Sequence, residues 1–245
     1  MTLSHHRFST APMMEWTDRH WRVFARTLTQ KALLYTEMVT APALIYGKLD
    51  RLTQHSAAEY PLALQVGGSD PDELYRATDH VKDLGFYEIN LNLGCPSDRV
   101  QAGCFGAALM TDPERVSECF EAMLNAAGSQ GPHVTAKIRL GVNDQETEKT
   151  LPEFLEMLRR KNITRVIVHA RKAILGGLSP KENREIPPLN YDLVQKMKNQ
   201  FTDMEIILNG GLKTLDQCTQ QLSIFDGVMV GRAAYQTPMI LLGVD

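Results

Sequence analysis

Alternation of apolar and polar positions divides this chain into short strand-like runs and longer helical ones. RFSTAPM (7–13), LLYTEMV (33–39), LALQVGG (62–68), YEINLNLG (87–94), HVTAKIRLG (133–141), RVIVHAR (165–171), EIILNGG (205–211) and GVMVGRA (227–233) are short, β-rich and bounded by turn residues. Between them, DPDELYRATDHVKDLG, DPERVSECFEAMLNAAG and TLDQCTQQLS combine an Asp or Thr cap, early acidic residues and apolar positions at i, i+3 and i+4. Repetition of βα units predicts parallel strands joined by right-handed crossovers. Eight such units in 245 residues predict a closed (β/α)8 TIM barrel. An open doubly wound sheet is the structural rival, but no strand runs into the G-x-G-x-x-G turn of its dinucleotide-binding form. No linker, low-complexity tract or charge block divides residues 1–245, which read as one domain.

Two connections are long and aperiodic: CPSDRVQAGCFGAALMT (95–111) after strand four and KAILGGLSPKENREIPPLN (172–190) after strand six. Both leave from strand C-terminal ends, the face where barrels of this kind carry their sites. Side chains two apart on a strand share a face, so Asn90 and Asn92 point into the barrel while Ile89, Leu91 and Leu93 pack outward. The same parity groups Lys137 with Arg139 and His169 with Arg171, and Gln65 and Asn209 end strands three and seven. Taken singly, a strand Asn, Gln or His is usually a satisfied core hydrogen bonder. Lys137 is different, because an inward ammonium is costly without an anionic or acceptor-rich partner. Glu37 on strand two and a bound anion are both open as that partner. Gly210-Gly211 and Gly231-Arg232 follow strands seven and eight, where glycines let backbone N–H groups approach a phosphate. These features together point to a phosphorylated planar cofactor, and FMN fits them.

Composition narrows the setting. With 43% hydrophobic residues the chain can bury a substantial core, and no apolar run approaches the roughly 18 residues of a membrane span. No secretory signal is visible at the N-terminus, so the chain reads as a soluble, cytoplasmic protein, and a monomer is expected. Cys95, Cys104, Cys119 and Cys218 form no C-x-x-C pair, which argues against structural zinc or any other metal site and against a disulfide frame. A net charge of −3 gives no global attraction to nucleic acid, so such a partner would need a local basic patch.

The sequence resembles the tRNA-dihydrouridine synthases, and among them the bacterial A-type branch. The likeness is carried by APMMEWTD (11–18), LLYTEMVT (33–40), ALQVGGSDP (63–71), EINLNLGCPSDRVQAGCFGAALM (88–110), VTAKIRLG (134–141), IVHARKAILGGLSPKENREIPPL (167–189), LNGG (208–211) and GVMVGRAAYQTP (227–238). The resemblance implies an oxidoreductase that uses FMN, reduced by NADPH, to convert uridine to 5,6-dihydrouridine in the tRNA D-loop, at positions 20 and 20a. By the matching motifs, Pro12, Met13, Gln65, Lys137 and His169 would bind the flavin ring, and Asn209, Gly210, Gly211, Gly231 and Arg232 its phosphate end. Asn92, Arg99, Arg139, Arg171, Lys181 and Arg184 would contact the RNA substrate. The family usually continues into a C-terminal helical tRNA-binding domain. This sequence stops at PMILLGVD, within the eighth helix, so residues 1–245 would be the FMN-binding catalytic barrel with that helical domain absent and tRNA affinity weakened.

Within that resemblance Cys95 would be the proton donor. Hydride delivery to uracil C6 demands a proton at C5 from the opposite face of the base. A thiol, with an ordinary pKa of about 8.5, is protonated near neutrality yet acidic enough to give one up. Gly94 permits a sharp turn and Pro96 restricts the backbone around the sulfur. Cys119 and Cys218 fall in helical patterns and read as buried, while Cys104 shares the loop and is the runner-up. Two other functions stay open: a flavin dehydrogenase acting on a free pyrimidine, and a non-catalytic flavin- or RNA-binding fragment.

Overall fold

In the computed structural model the described residues are 5–97, 103 and 105–245. Eight parallel strands form one sheet in the order β1-β8-β7-β6-β5-β4-β3-β2. They are β1 (Phe8–Thr10), β2 (Leu34–Thr40), β3 (Leu62–Gly67), β4 (Glu88–Leu93), β5 (His133–Arg139), β6 (Arg165–His169), β7 (Glu205–Asn209) and β8 (Gly227–Val230). A parallel bridge between Ser9 and Leu33 joins the two ends, with the Thr10 N–H donating to Leu33 O at 3.0 Å. That closure excludes the open sheet.

Several of the helices around the sheet begin at side-chain caps. α1 (Arg19–Leu28) starts at Asp18, whose carboxylate accepts from the Trp21 N–H at 2.8 Å. Two short helices follow β2, α2 (Ala41–Tyr46) and α3 (Leu49–Leu52). α4 (Pro71–Val81) and α5 (Pro113–Ala127) each place Pro at the first turn behind an Asp cap. α5 ends at Gly128, whose φ of 66° is a left-handed conformation. α6 (Thr147–Arg160), α7 (Tyr191–Gln200), α8 (Leu215–Gln221) and the short α9 (Arg232–Gln236) complete the ring.

Strand parity separates two apolar layers. Leu64, Val66, Ile89, Leu91, Ile138, Val168, Leu208 and Val228 face the helices, and Ala11, Leu33, Tyr35, Ala63, Ile167, Ile207 and Met229 form a smaller cluster inside the barrel. Above and below that inner cluster the interior is polar.

Several strands are shorter than their sequence runs. β1 ends at Thr10 because Pro12 has no N–H to continue a ladder, although the Ala11 N–H still reaches Val230 O at 2.8 Å. β7 ends at Asn209 because Gly210 and Gly211 adopt φ values of 108° and 75°. At these two strands the chain therefore turns away from the barrel two or three residues earlier than periodicity indicates, at the positions where a ligand would approach.

Candidate active site

The C-terminal ends of the strands bring most of the sequence-selected residues to one mouth. Met13, after β1, lies against Gly231 after β8, where a Cβ would sit 3.9 Å from the Met13 Sδ. Pro12 precedes it, partly exposed. Asn209 accepts from the Lys137 ammonium at 3.1 Å and donates to Met229 O at 2.8 Å. His169 packs directly on Gly210, where a Cβ would come within 2.6 Å of the imidazole, so only glycine fits there. Gln65, Asn92 and Asn209 are buried inside the barrel.

The partner of Lys137 is thus Asn209 and not Glu37. Glu37 is turned to the β1 loop, where its carboxylate accepts from the Glu15 N–H at 2.5 Å. Asn209 carries no charge, so the ammonium is hydrogen bonded but not neutralised. Burial, followed by repulsion from Arg139, lowers the Lys137 pKa to about 7. Burial likewise holds His169 well below its ordinary value, with Arg139, Lys137, Arg171 and Arg184 each adding repulsion. The imidazole is therefore neutral near pH 7. The mouth is a concentration of positive charge in a chain of net charge −3.

Cys95 stands at the edge of this field. It is partly exposed, its Sγ is 3.4 Å from the Ser97 Oγ, and Lys137, Arg139 and Arg184 all interact electrostatically with it. Its turn is held from below, because the Asn92 Oδ1 accepts from the N–H groups of Gly94 (3.1 Å) and Cys95 (3.0 Å). The other described thiols are unlike it. Cys119 and Cys218 are fully buried in helices, and desolvation pushes their pKa values to about 12 and about 11. Cys104 and Arg99 lie outside the described residues.

Arg139 points inward as its strand position indicates, but its donors are taken up by protein carbonyls. It is 3% exposed, and its guanidinium donates to Gly94 O (3.1 Å), Asn183 O (3.0 Å) and Lys172 O (3.3 Å). These bonds tie the Cys95 turn to the loop after β6. Burial lowers the Arg139 pKa to about 10, still far above neutrality, so the guanidinium stays charged. The geometry makes it a brace between loops.

The loop after β6 is also more ordered than its lack of periodicity indicates. Asn183, wholly buried, accepts from the Ile174 N–H at 2.7 Å and donates to Ile174 O at 2.9 Å, folding the loop on itself. Arg171 donates to the Glu185 and Pro187 carbonyls. Arg184 and Lys181 are exposed, with Arg184 in electrostatic reach of Cys95, and Arg232 forms an ion pair with Glu185 at 2.6 Å. Asn183 was not distinguished by sequence reasoning. The local signal was the S-P-K-E capping spacing, in which Ser179 and Glu182 bond reciprocally and start the turn that buries it.

Among the described residues, no group of three or more His, Cys, Asp or Glu side chains could hold a metal ion, and no helix is long and apolar enough to cross a membrane.

Comparison with known proteins agrees with this architecture. The old yellow enzyme homologue from Zymomonas mobilis superposes over 93% of this chain and 85% of its own, with a TM-score of 0.63 at 11% identity, a likeness of fold alone. A protein of Pseudomonas putida named tRNA-dihydrouridine(20/20a) synthase is 51% identical over 239 residues, 98% of this chain and 70% of the relative. The proteins of the same name from Shewanella oneidensis and Yersinia pestis are 51% and 50% identical, and this chain covers 70% and 68% of their lengths. The family profile described as dihydrouridine synthase matches residues 9–244. With a match over nearly its whole length and relatives at half identity, the chain belongs to the dihydrouridine synthase family.

Proposed function

We propose that this protein reduces uridine to 5,6-dihydrouridine in the D-loop of tRNA, at positions 20 and 20a as the names of its relatives state, with FMN as cofactor and NADPH as reductant. The observation that carries the reading is the partly exposed Cys95 thiol at the rim of a cationic barrel mouth. The donor set suits FMN. Gln65, Asn209 and neutral His169 offer amide and imidazole groups to a planar heterocycle, and Lys137 has a neutral hydrogen-bond partner and no carboxylate. Gly210 and Gly211 turn the chain at positive φ against His169, Leu189 and Tyr191, and the N–H groups after β7 and β8, with Arg232, are the candidates to hold a phosphate. Pro12 and Met13 would form the wall under the ring.

When bound and reduced, FMN supplies a hydride for C6 of the uracil. The residues of the chain do the rest. Cys95 gives its thiol proton to C5 from the other face, so the C5=C6 bond becomes two C–H bonds, and the thiolate regains a proton from solvent. Asn92 and Arg139 hold the Cys95 turn while this occurs. The base must leave its stack to enter the mouth. Arg171, Lys172, Lys181 and Arg184 line the approach and supply positive charge for RNA phosphates, with Arg99 the remaining candidate.

The test is a redox cycle. NADPH should bleach the FMN-loaded protein, unmodified tRNA should restore its colour, and mass spectrometry of the RNA should show two added hydrogens per uridine reduced. Reoxidation by uracil or orotate in place of RNA would overturn the substrate, and failure to bind FMN would overturn the cofactor.

A further inference from the structure

A continuous row of buried side chains runs up the barrel interior from its closed end to the Cys95 turn. At the bottom, the Glu88 carboxylate meets His6 Nε2 at 2.7 Å and accepts from the Tyr35 hydroxyl. The Thr135 hydroxyl is hydrogen bonded with Glu88 and Tyr35. Above it, Asn90 Nδ2 donates to Thr135 Oγ1 (2.8 Å), Gln65 Nε2 to Asn90 Oδ1 (2.9 Å), and Asn92 Nδ2 to Gln65 Oε1 (2.8 Å). Asn92 Oδ1 then accepts from the Gly94 and Cys95 N–H groups. Glu88 and Asn90 are 0% exposed, Thr135 and Gln65 1%, and Asn92 8%.

Each amide can sit two ways round, but the ends leave only one sense for the row. A carboxylate can only accept, so the Tyr35 and Thr135 protons point down toward Glu88. Thr135 Oγ1 is then left as an acceptor, and Asn90 must present its NH2 to it. That turns the Asn90 oxygen to Gln65, the Gln65 oxygen to Asn92, and the Asn92 oxygen to the two backbone N–H groups. Reversing any one amide puts donor against donor and leaves buried groups unsatisfied.

We propose that Glu88 and Thr135, on the far side of the barrel from the mouth, are positioning residues for Cys95, setting the sense of the amide row so that Asn92 offers an oxygen to the Cys95 turn. This rests on the reading of Cys95 as proton donor. It explains why a carboxylate and three amides occupy the interior where a barrel ordinarily stacks branched aliphatics.

Two substitutions test it without removing volume. Thr135→Val deletes the acceptor for Asn90, and Thr135→Ser keeps it. Glu88→Gln puts a donor in place of one acceptor oxygen at the bottom, opposing the Tyr35 and Thr135 protons while the backbone N–H groups still hold Asn92 at the top. The first readout is the alkylation rate of Cys95 by iodoacetamide, followed by mass spectrometry, which needs neither flavin nor RNA. The second is kcat and KM for tRNA. Thr135→Val and Glu88→Gln should change the Cys95 rate and lower kcat by roughly tenfold, the size of one buried hydrogen bond lost, with KM within about twofold. Thr135→Ser should restore both. Equal alkylation rates and equal kcat across wild type, Thr135→Val and Thr135→Ser would overturn the proposal. Should Thr135→Val fail to fold, an unchanged rate and kcat in Glu88→Gln would overturn it as well. Absence of any tRNA reduction by the wild type would count against the proposed function, while the alkylation rates would still decide the row.

Discussion

The two ends of the barrel interior are both polar, and they hold charge in opposite ways. At the closed end, Glu88 lies against His6 and Tyr35, and Arg165 pairs with Glu205 at 2.5 Å. Burial drives the Glu88 carboxyl up, yet the charge of His6 and hydrogen bonds from His6, Tyr35 and Thr135 outweigh it and leave its pKa below the ordinary value. At the open end, Lys137, Arg139 and Arg171 hydrogen bond to amide and carbonyl oxygens, and together with Arg184 they repel a proton on His169. Polarity inside a barrel therefore does not by itself mark a site. Charge without a counter-charge does, because it persists only where a ligand or substrate repays its desolvation.

Four measurements would break or sharpen this contrast. Cys95→Ala should have the largest effect at the open end, lowering uridine reduction by roughly 10²–10⁴-fold, the contribution of a positioned proton donor, with FMN affinity and Tm unchanged. At the closed end Glu88→Ala should act most strongly on stability, beyond its smaller effect on kcat. It removes the acceptor of the Tyr35 and Thr135 hydroxyls and the counter-charge facing His6, at about 3–5 kcal/mol, which lowers Tm by roughly 10 °C in thermal unfolding.

Lys137→Met should separate the ends by pH. The unfolded chain keeps the lysine proton up to its ordinary pKa of 10.5, whereas the folded chain releases it from about 7. Between those values the unfolded state binds more protons, so this group makes the ligand-free protein more stable as pH rises, by up to about 1.4 kcal/mol per unit. Tm measured from pH 7 to 10 should rise less steeply in Lys137→Met than in wild type, and parallel curves would refute the assignment. The smallest effect belongs to the exposed Glu185–Arg232 pair. Glu185→Gln should leave Tm unchanged and tighten binding of FMN, and of inorganic phosphate, by roughly twofold, as expected on releasing an exposed ion pair.

Much of the site was legible in the sequence because strand parity is a local property. Asn90, Asn92, Lys137, Arg139 and His169 all point inward as alternation requires, and the glycines after β7 and β8 mark the chain's departure from the sheet. Partners were not legible in the same way. Lys137 finds Asn209, 72 residues away, and Glu37 is drawn instead to a backbone N–H in the β1 loop. Arg139 reads as a substrate contact until the loops that supply its three carbonyls are folded around it. Asn183 shows no periodic signal at all, because its burial comes from a loop closing on itself.

The sequence alone determined the eightfold βα repeat, the faces of its strands and the thiol in its G-C-P turn, since propensity, capping and alternation act over a few neighbouring residues. Tertiary structure decided which polar groups meet. Closure of β1 onto β2 and β8 creates an interior in which side chains from β2, β3, β4 and β5 form one hydrogen-bonded row, and in which several cations share a mouth. Hydrogen bonds and electrostatic repulsion depend on distances between strands far apart in sequence, and only the closed barrel sets them.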